Sequence, residues 1–126
     1  MANLSLIWPS EEYLPNSLFK HFAYLGEVAG YLRRFSDVRV LDLSVEQKKR
    51  SEIIKLMEES DFIGIPLEVY NIKNGVNLAK LAKQSSNAFV AAYGTVASIN
   101  PEVISPYFDV VLQRDSWEKQ LTFPIS

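Results

Sequence analysis

The chain has 126 residues, 48% of them hydrophobic and 22% charged, with a net charge of −2. That is the length and balance of one folded domain. Thirteen Lys and Arg against fifteen Asp and Glu leave no basic surplus for a nucleic-acid-binding module. No apolar run approaches the roughly 20 residues that cross a bilayer, and Met1-Ala2-Asn3 lacks the cationic start of a secretory signal. The reading is a cytoplasmic protein without a membrane partner. There is no Cys and one His, at 21, so thiolate zinc sites, iron–sulfur clusters, Cys nucleophiles and multi-His metal sites within the chain are excluded. Catalysis by this chain alone is not expected.

A first strand is predicted over residues 4–8, ended by Pro9. Residues 9–16 read as a loop. Leu18, Phe22, Leu25, Val28, Ala29, Leu32 and Phe35 then recur at helical spacing. Asn16 or Ser17 can cap that helix, and Arg33 and Arg34 suit its C-terminal dipole. A second strand follows over 38–43. Ser44 with Gln47 three residues on is a capping-box pattern, opening a helix from 45 to 59 with Ile53, Ile54 and Met57 on its apolar face. A third strand covers 61–65 and stops at Pro66. Residues 67–72 read as a loop, and Val76, Ala79, Leu81 and Ala82 mark a helix over 73–84. A fourth strand covers 87–93, a loop 94–98, a short helix 101–105 with Pro101 in its first turn, and a fifth strand 108–112. A last helix runs from 116 to 121.

Strands alternate with helices, and the strands are apolar without strict alternation. That pattern predicts a parallel sheet covered on both faces, with right-handed crossovers. The expected architecture is a three-layer, Rossmann-like (flavodoxin-like) α/β domain over residues 1–126, with five parallel strands. Such sheets bind ligands at the carboxyl ends of their strands, at the topological switch point. Residues 9–15, 66–72, 93–98 and 113–117 are therefore the candidate site loops.

Several chemistries that use this element order fail on particular residues. A phospho-receiver needs acids and a Lys where Trp8-Pro9, Ile65-Pro66 and Gln113-Arg114 stand. The first turn also lacks the Gly residues of a phosphate or dinucleotide loop. Gly26 and Gly30 fall inside the first helix, where each costs about 1 kcal/mol relative to Ala. They imply close approach to the sheet or room for a bulky ligand. His21 on the same helix reads as a surface or capping residue. Asp42 ends the second strand and can hold either the next loop or a ligand hydroxyl. Glu68 is the only acid in 66–72.

Five segments in order resemble the cobalamin-binding domain at the N-terminus of many radical S-adenosylmethionine enzymes. They are Leu25-Gly26-Glu27-Val28-Ala29-Gly30-Tyr31-Leu32, Val40-Leu41-Asp42, Asp61-Phe62-Ile63-Gly64-Ile65, the stretch from Tyr93-Gly94-Thr95-Val96 to Asn100-Pro101-Glu102, and Phe108-Asp109-Val110-Val111. The resemblance spans nearly the whole chain. It implies a corrin held at the strand ends by Ser10, Tyr13, Asp42, Leu67, Glu68, Val69, Tyr70, Gly94, Thr95, Val96 and Arg114. The D-x-H-x-x-G motif is absent, which implies no His beneath the cobalt. The radical S-adenosylmethionine domain, with its iron–sulfur cluster, would be a partner outside this chain. Tyr93 stands where the family has Gly, and residues 113–118 depart from its acidic "GEGE" segment. These departures suit a second reading, a degenerate copy that binds no cobalamin and serves as a protein-interaction module or subunit. Trp8, Tyr13, Tyr70, Tyr93, Tyr107 and Trp117 lie at or near strand ends and suit an interface. A third reading is a small enzyme with Asp42 and Glu68 as an acid–base pair.

Overall fold

A computed structural model of the chain describes residues 2–10, 33–34 and 36–112. The helix expected over 18–35 with Gly26, Gly30 and His21, the helix expected over 116–121, and Tyr13, Arg114 and Trp117 lie outside the described residues. Five strands form one sheet: β1 (Asn3–Trp8), β2 (Asp37–Asp42), β3 (Phe62–Pro66), β4 (Phe89–Tyr93) and β5 (Val110–Val111). Their order is β2-β1-β3-β4-β5 and every pair is parallel. The fold is α/β and Rossmann-like, with the flavodoxin strand order. No helix among the described residues is long and apolar enough to cross a membrane.

In β1, β3 and β4 both faces of the sheet are buried, which is why these strands lack strict alternation. One face carries Ile7, Ile63, Ile65, Val90 and Ala92. It packs under the helices α1 (Arg50–Glu58) and α2 (Ile72–Ser85) through Met57, Leu78, Ala79, Leu81 and Ala82. The other face carries Leu4, Leu6, Trp8, Ala91, Tyr93 and Leu112. On this second face the register sets Leu6, Gly64 and Ala91 side by side. A Cβ at Gly64 would lie 2.9 Å from Leu6 Cδ2 and 3.2 Å from Tyr93 Cε1. The Tyr93 ring therefore rests across β3, in the space that Gly64 leaves. Trp8 and Tyr93 are fully buried core side chains, not interface residues.

The observed elements differ from the expected ones by more than two residues, or in kind, in four places, and β4 starts two residues late, at Phe89. The helix expected from 45 begins at Arg50. Ser44 does not cap it; its N–H and hydroxyl donate to Asp42 Oδ1 at 3.0 and 2.5 Å, which turns the chain out of β2. The helix start is held instead by Glu52, whose Oε1 accepts the Lys49 N–H at 3.2 Å. The loop expected over 94–98 contains a short helix, α3 (Thr95–Ile99). Burial of Val96 and Ala97 in the first core outweighs the weak helix propensity of Thr, Val and Ser. The helix over 101–105 is α4 (Pro101–Ile104), continued by a 3-10 turn at Ser105–Tyr107. The fifth strand shrinks from the expected 108–112 to two residues. Val90 N–H faces that strand but donates to the Asp109 carboxylate at 2.7 Å, so a side chain takes the place of ladder backbone.

Candidate functional site

The strand order reverses between β1 and β3: from β1 the chain goes outward to β2, then returns and builds β3, β4 and β5 on the other side. That is the switch point, where open α/β sheets place their ligands. Three exits meet there: Pro9-Ser10 after β1, Leu67–Asn71 after β3, and Gly94 after β4.

The β3 exit is built on Leu67 and Asn71. Leu67 N–H donates to the Tyr93 carbonyl at 2.8 Å, and the Leu67 carbonyl accepts Val96 N–H at 3.1 Å. The loop is thus stitched to the β4 exit on both sides of one residue. Asn71 is fully buried and turns back into the loop it closes. Its Oδ1 accepts Glu68 N–H at 2.8 Å and its Nδ2 donates to the Pro66 carbonyl at 3.3 Å. The β1 exit is tied in from α2, because Asn74 Nδ2 donates to the Ser10 carbonyl at 2.7 Å.

Two glycines permit this closeness. Gly94 has φ +100°, a conformation that L side chains rarely adopt. A Cβ there would lie 2.9 Å from the Leu67 carbonyl oxygen and 3.5 Å from Glu68 Oε1. Gly75 lets α2 close on Leu67 and Pro9, with Pro9 Cγ 3.3 Å from where its Cβ would be.

The structure brings Ser10, Leu67, Glu68, Val69, Gly94, Thr95 and Val96 to one crest. Leu67, Gly94 and Val96 are buried beneath it, while Ser10, Val69 and Thr95 are exposed on its rim. Glu68 and Tyr70 are half-buried, and Tyr70 packs against the Trp8–Tyr93 core. Asp42 lies apart from this group. It is buried at the end of β2, on the far side of β1 from the β3 loop, and holds Ser44. The acid–base pair of Asp42 and Glu68 is therefore not assembled. Tyr107 is exposed and lies under Lys80, with Nζ 5.2 Å from the ring centroid.

Sequence reasoning missed Asn71, Asn74 and Gly75. An Asn before a helix is a recognisable N-cap signal. Here Asn71 makes no forward cap bond, so the signal finds the position and gives the wrong role.

The rim offers the hydroxyls of Ser10 and Thr95, the Glu68 carboxylate and the apolar Val69. That donor set fits the edge of a corrin, a flat ring bordered by amides that donate and accept hydrogen bonds. All three described glycines have their Cβ space filled from within the protein, so none leaves a slot between strands. Among the described residues no group of three or more His, Asp or Glu could hold a metal ion. No protein-family model matches the chain, and no curated protein matches its sequence. Fold and crest together define its class: a Rossmann-like α/β domain with its candidate site at the switch point.

Proposed function

We propose that the chain is a cofactor-holding domain of the cobalamin-binding type, serving a radical S-adenosylmethionine domain that is not part of it. The observation that carries this reading is the crest at the β1/β3 switch point, with exposed polar and apolar rim residues on a rigid hydrogen-bonded base. When bound, cobalamin supplies the radical or group-transfer chemistry. The chain's own residues bind and orient. The hydroxyls of Ser10 and Thr95 would hold amide carbonyls of the ring edge as donors, and the Glu68 carboxylate would hold its amide N–H groups as acceptor. Val69, 70% exposed, would cover an apolar edge of the ring. Asn71 keeps the β3 loop in one conformation, so little ordering remains to be done on binding.

Titration with hydroxocobalamin, followed by the visible spectrum and by calorimetric heat, tests the reading. Saturable one-to-one binding is expected. A flat titration at high micromolar ligand overturns it.

A second reading, the copy that binds no cofactor and docks on another protein subunit, rests on a different observation. The glycine spaces are filled, and Ile99, Val103 and Tyr107 are 76%, 54% and 37% exposed at intervals of four residues. The same titration separates the two readings, because this one expects no heat and no spectral change.

A further inference from the structure

The two edges of the sheet are unequal. β5 has two residues and β2 has six. Natural sheets blunt their edges by shortening them or by placing charges or Pro on them, and long edges left open invite pairing. β2 reads Asp37-Val38-Arg39-Val40-Leu41-Asp42, with no Pro and with charges of both signs, which repel a like-charged strand but can pair with a complementary one. Its backbone groups alternate between β1 and the outside. Asp37 N–H donates to the Ala2 carbonyl and Leu43 N–H to the Trp8 carbonyl, both toward β1. The pleat therefore turns the N–H and C=O of Val38 and Val40 outward, where no described strand lies. Val40 is 40% exposed. A surface depression of about 530 Å³ runs along the edge, between Arg39, Val40 and Leu41 and the facing Lys55 and Leu56 of α1 with Glu59 just beyond its end.

The edge also carries a self-complementary charge pattern. Two copies paired antiparallel about a two-fold axis must set one residue opposite itself. Three centres are available. Centring on Arg39 sets two guanidinium groups against each other, which is destabilising. Centring on Val40 sets Arg39 opposite Leu41 and Val38 opposite Asp42, with no ion pair. Centring on Val38 sets Asp37 opposite the partner's Arg39, twice. In that register the outward-facing Val38 pair is the hydrogen-bonded one. The Asp37–Arg39 pairs then fall at non-hydrogen-bonded positions, with Cα atoms about 4.5 Å apart and side chains closest. Both side chains are exposed and on the same sheet face. Arg39 already meets Glu59 Oε1 at 3.3 Å, and the five N–H donors of a guanidinium leave capacity for a second carboxylate.

We propose that two copies of this chain pair through residues 37–39 of β2, antiparallel about Val38, joining their two sheets edge to edge and closed by reciprocal Asp37–Arg39 ion pairs. Sedimentation equilibrium of the purified chain at high micromolar concentration should show a dimer. Asp37→Arg and Arg39→Asp should each weaken it about tenfold. The combined Asp37→Arg/Arg39→Asp chain should regain the affinity, because the exchange restores both pairs in this register and in neither of the other two. Val38→Pro should abolish the dimer while the monomer keeps its circular dichroism, since the lost N–H points outward. A monomer at all concentrations overturns the proposal, as does a dimer indifferent to Val38→Pro. Failure of the charge exchange to recover affinity overturns it too, and decides the matter if the Pro variant does not fold.

Discussion

Asn71 shows how much one buried amide can organise. It has both a donor and an acceptor inside the loop that shapes the candidate site, and no solvent to replace either. Asn71→Ala leaves the Glu68 N–H and the Pro66 carbonyl without their partner. A loss of about 1–3 kcal/mol is expected, read as a lower urea midpoint with an unchanged slope. Gly94→Ala is expected to cost about 1–3 kcal/mol for a different reason, since the new Cβ meets both an unfavourable φ and the Leu67 carbonyl. Thermal unfolding of the two variants checks this against Val69→Asp. That change, at an exposed position, should stay within about 0.5 kcal/mol of the parent. Glu68, Val69, Gly94 and Thr95 were legible as site candidates because strand ends are legible. Asn71 was not, because its partners are set by how the loop doubles back rather than by spacing.

At the scale of elements, the shortest strand is the one most dependent on a side chain. β5 is anchored by Asp109 N–H donating to the Val90 carbonyl and Leu112 N–H to the Ala92 carbonyl. Asp109 adds its carboxylate on Val90 N–H and an ion pair with Lys83 of α2. Asp109→Ala leaves Val90 N–H facing an empty ladder position, at a cost of about 1–3 kcal/mol. Hydrogen exchange should quicken at Val90 and Leu112 and remain slow at Ile63 in the centre of the sheet; uniform quickening would show that β5 is not a separate unit. The late start of α1 has a related cause. The Ser44 pattern is sound as sequence, but the Asp42 side chain sits two residues away and captures the Ser44 hydroxyl first. Local signals compete, and the closer partner wins.

At the scale of the molecule, the two proposed surfaces occupy different parts of the sheet. The crest lies at the carboxyl ends of β1, β3 and β4, while the pairing edge runs along β2. They should therefore separate by mutation. Val69→Asp is expected to weaken hydroxocobalamin binding at least about tenfold and to leave the dimer intact, as distant sites act independently. Asp37→Arg should do the reverse. Calorimetry and sedimentation on the same two variants check both halves, and loss of both properties in either variant would mean that crest and edge are one site. The dimer, if formed as proposed, leaves both crests open, since the added strands extend the sheet sideways.

The sequence by itself determined the class of fold, the five strands, the parallel sheet and the loops that cluster at one end. It could do so because hydrophobic period and strand length are local properties, and because a parallel sheet buried on both faces leaves continuous apolar runs. Only the tertiary structure decided what fills the space beside each described glycine, which acids are committed to turns, and which edge faces no described strand. Leu6 and Tyr93 reach Gly64 from 58 and 29 residues away, and Leu67 reaches Gly94 from 27. Contacts of that separation depend on how the strands are ordered and registered. That ordering, not any spacing along the chain, turned Tyr93 into core and put β2 at the edge of the described sheet.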